Sequence, residues 1–186
     1  MMRALTKGAV CGAVATAAMS GVMLAGSRMG LMPDQPPKRI ARALMPGHRN
    51  RPKQGEGTAG ALAHFGFGTA AGALYGLLAR GDRTPSIAGV GYALAIWAAS
   101  YQGWVPALGI LPAATRDLPG RPAVMICGHV VYGTILTKAV NRLNARTARK
   151  RDRERSRGES AEHPAPARRR EPATTEHHRR HAHARI

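Results

Sequence analysis

The chain has 186 residues, enough for one domain, and a formal net charge of +18 at pH 7. Charge and hydropathy are unevenly distributed, because long apolar runs fill residues 1–140, whereas 14 of the 28 Lys and Arg residues lie in 141–186. The apolar runs have no charged outer faces, which argues against a soluble helical core. We therefore predict an all-α membrane domain over 1–140 and a basic, largely disordered tail over 141–186.

Four apolar runs predict four transmembrane helices, and each has about the 20 residues needed to cross a bilayer core of roughly 30 Å. The predicted spans are 8–27, 58–79, 86–104 and 122–140. A charged turn at 80–84 joins the second span to the third. Beyond the fourth span, residues 141–157 are candidates to continue the helix before the Pro-rich and His-rich remainder of the tail.

A short amphipathic helix is predicted over 36–45, between the first two spans. Prolines begin and end this segment, and Ile40 and Leu44 share a face that excludes its basic residues. Such a helix lies in the membrane interface, with its cations on anionic headgroups; an ordinary loop helix is the alternative. The predicted headgroup contacts are Lys38, Arg39 and Arg42, together with Lys138, Arg142 and Arg146 at the end of the fourth span.

The second span carries a stripe of small residues. Gly60, Gly68, Gly72 and Gly76 recur at multiples of four residues, with His64 in the same register. A glycine stripe in an apolar 20-mer is typical of close packing between membrane helices. It also places His64 against protein rather than lipid.

The second and fourth spans share a pattern. HFGFGT begins at His64 and HVVYGT begins at His129, so Gly133 corresponds to Gly68. The preceding spans match as well, through AAMS and WAAS and then MGLMP and LGILP, in the same order. These matches indicate a duplicated two-helix unit, which predicts a four-helix transmembrane bundle of two tandem hairpins.

The duplication predicts that His64 and His129 lie at equal depth in two parallel helices. Ser20 and Ser100, in the two opposite-running spans, reach a similar depth. We therefore predict an intramembrane layer made of these two histidines and two serines.

Three interpretations of this polar layer stay open at the level of sequence. The first is structural, with hydrogen bonds that hold helices together in a protein for assembly or membrane homeostasis. The second is a small proton or ion channel or transporter that uses His64 and His129. The third is a site at the two histidines for haem or a transition metal, although two ligands are too few for a closed metal site. No soluble-type catalytic motif is present, so we expect no enzymatic activity.

Four spans place both termini on one side. With both termini inside, 13 Lys and Arg lie near the inner side and nine near the outer side, which favours cytoplasmic termini. The expected partners are anionic lipid headgroups and a second copy or another membrane protein. No aromatic residues interleave the basic tail, so sequence-specific nucleic-acid binding is not expected.

Residues 8–140 resemble a family of uncharacterised bacterial multi-pass membrane proteins of YagU-like type. The resemblance rests on ATAAMS with MGLMPDQPPKRIARAL, HFGFGTAAGALYGLL, YALAIWAASYQGWVPALGILP and GHVVYGTIL. It implies a bacterial inner-membrane protein of about four helices and no particular reaction. The basic tail lies outside it.

Overall fold

A computed structural model describes residues 1–49, 51–79 and 83–162, and the elements within these ranges are all helical. The α-helices are α1 (Met2–Arg28), α2 (Pro36–Leu44), α3 (Glu56–Leu78), α4 (Ser86–Ala98), α5 (Val105–Ala107) and α6 (Gly120–Glu162). A π-helical segment, Ala99–Trp104, joins α4 to α5, and a 3-10 turn, Ala114–Arg116, precedes α6. Part of the predicted turn at 80–84 lies outside the described residues.

Three of the described helices, α1, α3 and α6, are long and apolar enough to cross a membrane. The predicted span 86–104 is not one continuous α-helix, because α4 ends at Ala98 and the backbone leaves helical geometry at Gly103. Pro106 explains the break. It lacks an N–H group, and its ring would clash with the carbonyl of Gln102 in a regular helix. The chain adopts wider π-type turns instead.

The last helix continues beyond the fourth apolar run, as 141–157 were candidates to do, and α6 ends at Glu162. Charged side chains four residues apart stabilise such an exposed helix, as Lys150 and Glu154 do at 3.8 Å. The remaining predicted disorder, at 163–186 with the His-rich end, lies outside the described residues. Residues Met1–Arg149 form one compact unit, and the following paragraphs concern this unit alone.

The first hairpin, α1 with α3, packs through glycine on both helices. A Cβ atom at Gly72 would lie 2.5 Å from the Cα of Gly12, and one at Gly76 would lie 2.8 Å from the Cα of Gly8. Only glycine fits at these positions, because the neighbouring atoms are backbone and cannot rotate away. The same stripe continues to Gly68, which faces the Thr16 side chain.

The second hairpin, α4 with α6, packs in the same manner. A Cβ at Gly133 would lie 2.3 Å from the carbonyl oxygen of Gly89, and one at Gly89 would overlap the Thr137 hydroxyl. Each pair of helices is therefore held together by its own close contacts between small residues.

Tyrosine hydroxyls join the two hairpins. Tyr132 on α6 donates to the carbonyl oxygen of Gly68 on α3 at 2.7 Å, and Tyr75 on α3 lies 2.9 Å from the Thr137 hydroxyl on α6. The two bonds hold α3 and α6 side by side. Because residue numbers increase along both helices from the first bond to the second, α3 and α6 run parallel.

The α2 helix covers the end of the bundle where α3 begins. Gly60 packs against the backbone of Pro37 and Lys38, and Ile40 and Ala43 pack against the cluster formed by Tyr101, Val105, Ile110 and Leu111. The apolar face predicted to enter lipid therefore contacts protein at Ile40, while Leu44 stays exposed.

Ion pairs hold α2 in place. The Arg42 guanidinium donates two hydrogen bonds of 2.7 Å to the Glu56 carboxylate and one of 3.1 Å to Asp34, and Lys38 lies 3.3 Å from Glu56. These carboxylates raise the pKa of Arg42 above its ordinary value, chiefly through the Glu56 hydrogen bond. These carboxylates give Arg42, whose side chain is only 12% exposed, partners within the protein, and Lys38 shares one of them.

Candidate functional site

A cavity of about 240 Å³ lies among the helices of the compact unit. Its walls come from α1, α2, α3, α4, the π-helical segment and α6. The lining is mostly apolar, with Met19, Ile40, Phe67 and Met125 as examples.

The two predicted histidines meet in this cavity. His64 reaches it from α3 and His129 from α6, and the two imidazoles lie within electrostatic range of each other. The parallel course of α3 and α6 accounts for this, because the bond from Tyr132 to Gly68 joins residues 64 positions apart, and the two histidines are separated by 65.

His64 and Trp97 each bring an unsatisfied nitrogen to the site. The Nε2 atom of His64 and the Nε1 atom of Trp97 are buried, and neither has a hydrogen-bond partner among the described residues. Both side chains line the cavity. An unpaired polar atom in an apolar interior costs about 1–3 kcal/mol, so most such atoms find a partner.

His129 differs from His64 because one of its nitrogens is bonded. Its Nδ1–H donates to the Met125 carbonyl at 2.8 Å, which leaves Nε2 as the nitrogen with a free lone pair. This bond to its own helix fixes the orientation of the imidazole ring.

The predicted serines are separated by the structure. Ser100 lines the cavity, whereas Ser20 does not, and the α1 wall is made by Thr16, Met19 and Met23. Each serine donates to the carbonyl four residues earlier, Ser20 to Thr16 and Ser100 to Ile96, both at 2.8 Å. Of the predicted layer, His64, His129 and Ser100 therefore line the cavity, whereas Ser20 lies outside its lining.

Trp97, Tyr132 and Thr16 were missed as cavity residues by the sequence patterns. The repeat pointed to the region of Trp97, since WAAS aligns with AAMS, but an indole in an apolar span is equally compatible with ordinary packing. The sequence indication for Thr16 is weaker: it lies four residues after Gly12, on the helix face that packs against α3.

A network of polar side chains lies beside the cavity. Tyr101, which lines it, donates to the Asp117 carboxylate, and Arg121 donates to the other oxygen of Asp117. Burial opposes ionisation of Asp117, but the hydrogen bonds from Arg121 and Tyr101 outweigh it, so the pKa of Asp117 is lowered. The network ties the π-helical segment to the start of α6.

The cavity fits a small ligand better than a haem. Its volume of about 240 Å³ is smaller than the roughly 300–1,000 Å³ pockets that hold drug-sized molecules. Within the described part of the chain, no group of three or more His, Cys, Asp or Glu side chains converges as metal ligands. Of the predicted packing glycines, Gly68 also lines the cavity. The remaining predicted positions lie outside the lining: Gly60, Gly72, Gly76 and Gly133 at helix contacts, and Lys138, Arg142 and Arg146 along α6.

A comparison with protein families gives one match, to a family of unknown function, DUF6789, over residues 2–151. The chain belongs to this family. The match covers the helical bundle and the first part of the α6 extension, and it fits the prediction of an uncharacterised domain. No curated protein and no solved structure gives a significant match.

Proposed function

We propose that this member of the DUF6789 family is a membrane protein whose central cavity binds an apolar small molecule with a single hydrogen-bonding group. The observation that carries the proposal is the pair of buried, unpaired nitrogens on His64 and Trp97, which line the same apolar cavity. The indole N–H is a donor only, so it calls for an oxygen acceptor such as a carbonyl or hydroxyl group on the ligand.

The membrane setting is the second part of the proposal. Four spans arranged as two tandem hairpins cross the inner membrane of a bacterium as YagU-like proteins do, with both termini cytoplasmic. A fourth span is compatible with the bend at Gly103, because α4, the π-helical segment and α5 follow one another over 86–107 with that single interruption. Anionic lipid contacts Arg39 and the cations of α6, and a second copy is the expected protein partner.

A fluorescence titration tests the cavity. In the variant Trp104→Phe, Trp97 is the remaining tryptophan, and a bromine-tagged alkyl ketone added to the full chain in neutral detergent should quench it saturably. Adding Ala63→Leu, which fills part of the lining, should weaken the apparent affinity at least tenfold. The matched control is Ala61→Leu on the same helix, which lies outside the lining and should change nothing. Linear quenching that is equal in all variants would contradict the proposal and favour a purely structural role in assembly or membrane homeostasis.

Proton transfer through the cavity is a second candidate, favoured by the convergence of two imidazoles. Liposomes that contain the protein should then show proton flux that falls at least tenfold in His64→Ala with His129→Ala. The control is Ala61→Leu, which leaves both imidazoles and the cavity lining in place. Flux that is unchanged by the histidine substitutions removes this candidate without affecting the ligand titration.

A further inference from the structure

A second, polar pocket lies at the end of the bundle covered by α2. Its volume is about 150 Å³, and its lining is Arg39, Arg42, Ala43, Arg49, Gly109 and Ile110. All three charged lining residues are arginines, and no carboxylate belongs to the wall. From this convergence we propose that the pocket binds a phosphate group, either of a lipid headgroup or of a free phosphate.

The local charge balance favours an anion. Five cations and two carboxylates surround α2, a formal excess of three positive charges: Lys38, Arg39, Arg42, Arg49 and Lys53 against Asp34 and Glu56. The carboxylates are bound to Arg42 and Lys38. In the described part of the chain no carboxylate pairs with Arg39 or Arg49, so their charges are uncompensated.

The pocket is held in shape before a ligand arrives. Glu56 and Asp34 take three of the five N–H donors of Arg42, which leaves two available. Arg49 is oriented by a 3.2 Å bond to the carbonyl oxygen of Leu108. Lys53 donates to the carbonyl oxygens of Arg42 and Met45, both at 2.7 Å, and so fixes the end of α2.

The residues at the pocket rim leave access for a small anion. A Cβ at Gly109 would meet no atom within 4 Å, and Gly109 has φ of +65°, a conformation that disfavours side chains. Guanidinium groups bind phosphate through paired, charge-assisted hydrogen bonds, so Arg39 and Arg49, which no carboxylate neutralises in the described part of the chain, match one phosphate beside the fixed Arg42. The uniform arginine lining distinguishes this pocket from the apolar cavity, and the inference stands whether or not that cavity binds a ligand.

The test uses the full chain in neutral detergent and the double variant Arg39→Gln with Arg49→Gln. Inorganic phosphate and dioctanoyl phosphatidylglycerol are added in separate titrations, and the thermal unfolding midpoint is followed. Because a ligand that binds only the folded state raises this midpoint, wild type should be stabilised and the double variant should need at least tenfold more ligand. The control Arg116→Gln, an exposed arginine outside the pocket, should respond as wild type does.

The two titrations separate the sources of the phosphate. Stabilisation by both additives assigns a free phosphate site, and stabilisation by phosphatidylglycerol alone assigns a lipid headgroup; both support the pocket when the double variant loses the response. The basic tail is intact in every variant, so its contribution is the same throughout. Equal responses of the double variant and Arg116→Gln, or no response in any protein, would overturn the proposal. If the double variant does not fold, Arg39→Gln alone carries the test.

Discussion

Replacing Gly72 by alanine tests whether glycine contacts determine the stability of the first hairpin. The new Cβ would lie 2.5 Å from both the Cα of Gly12 and the carbonyl oxygen of Gly8. The favourable distance between such atoms is about 3.5–4.0 Å, so α1 and α3 must separate by roughly 1 Å. Both neighbours are backbone atoms, and therefore no rotamer change can relieve the overlap.

The expected cost follows from two opposing terms. Overpacking of a tight contact costs about 1–3 kcal/mol, whereas alanine favours the helix over glycine by up to about 1 kcal/mol. We expect Gly72→Ala to lower the free energy of unfolding by about 1–2 kcal/mol. Unfolding in mixed detergent micelles, followed by circular dichroism, measures this change.

Gly66 provides a control with the opposite sign. It lies on the same helix, and a Cβ there would meet no atom within 4 Å. Gly66→Ala should therefore raise the free energy of unfolding by about 0.5–1 kcal/mol, because only the helix preference changes. The reasoning is refuted if both substitutions shift stability in the same direction by the same amount, since the contact with α1 would then play no part.

Two further predictions concern hydrogen bonds. Tyr132→Phe should lower the free energy of unfolding by about 1 kcal/mol in the same assay, because the Gly68 carbonyl loses its 2.7 Å donor; an unchanged value would show that the bond is not formed. The depressed pKa of Asp117 stabilises the fold above the ordinary aspartate pKa near 4, and this contribution is lost as pH falls through the lower, folded value. Asp117→Asn should therefore flatten the dependence of the unfolding midpoint on pH between 6 and 3, whereas the exposed control Asp152→Asn should not.

Much of the helical architecture could be predicted from the sequence. The positions of α1, α3 and the apolar part of α6 follow from unbroken apolar runs, which are long enough to cross a membrane by length and composition. The glycine stripe likewise predicted a close contact between helices, because only glycine lacks the Cβ that keeps two backbones apart. The parallel motifs placed His64 and His129 at one level, where the structure has them lining one cavity.

The charged residues of α2 show where sequence patterns fail. Arg42 and Glu56 are 14 residues apart, in different elements, and helical periodicity relates only residues within one element. The pattern therefore assigned Arg42 to lipid headgroups, whereas tertiary packing gave it carboxylates. Arg49 lies in a connecting segment with no periodicity, so the sequence patterns did not predict that it lines the same pocket as Arg39.

The sequence by itself determined that the chain is helical, which runs are apolar enough for a membrane and where small residues allow helices to meet. Those properties depend on composition and short-range spacing. Only the tertiary structure decided that Trp97 lines the cavity with the two histidines and that Ser20 does not. It also decided that one apolar and one arginine-lined pocket form in the described part of the chain. A cavity is the space left after side chains from several helices have packed, and that space depends on their relative rotation and separation, which no single segment encodes.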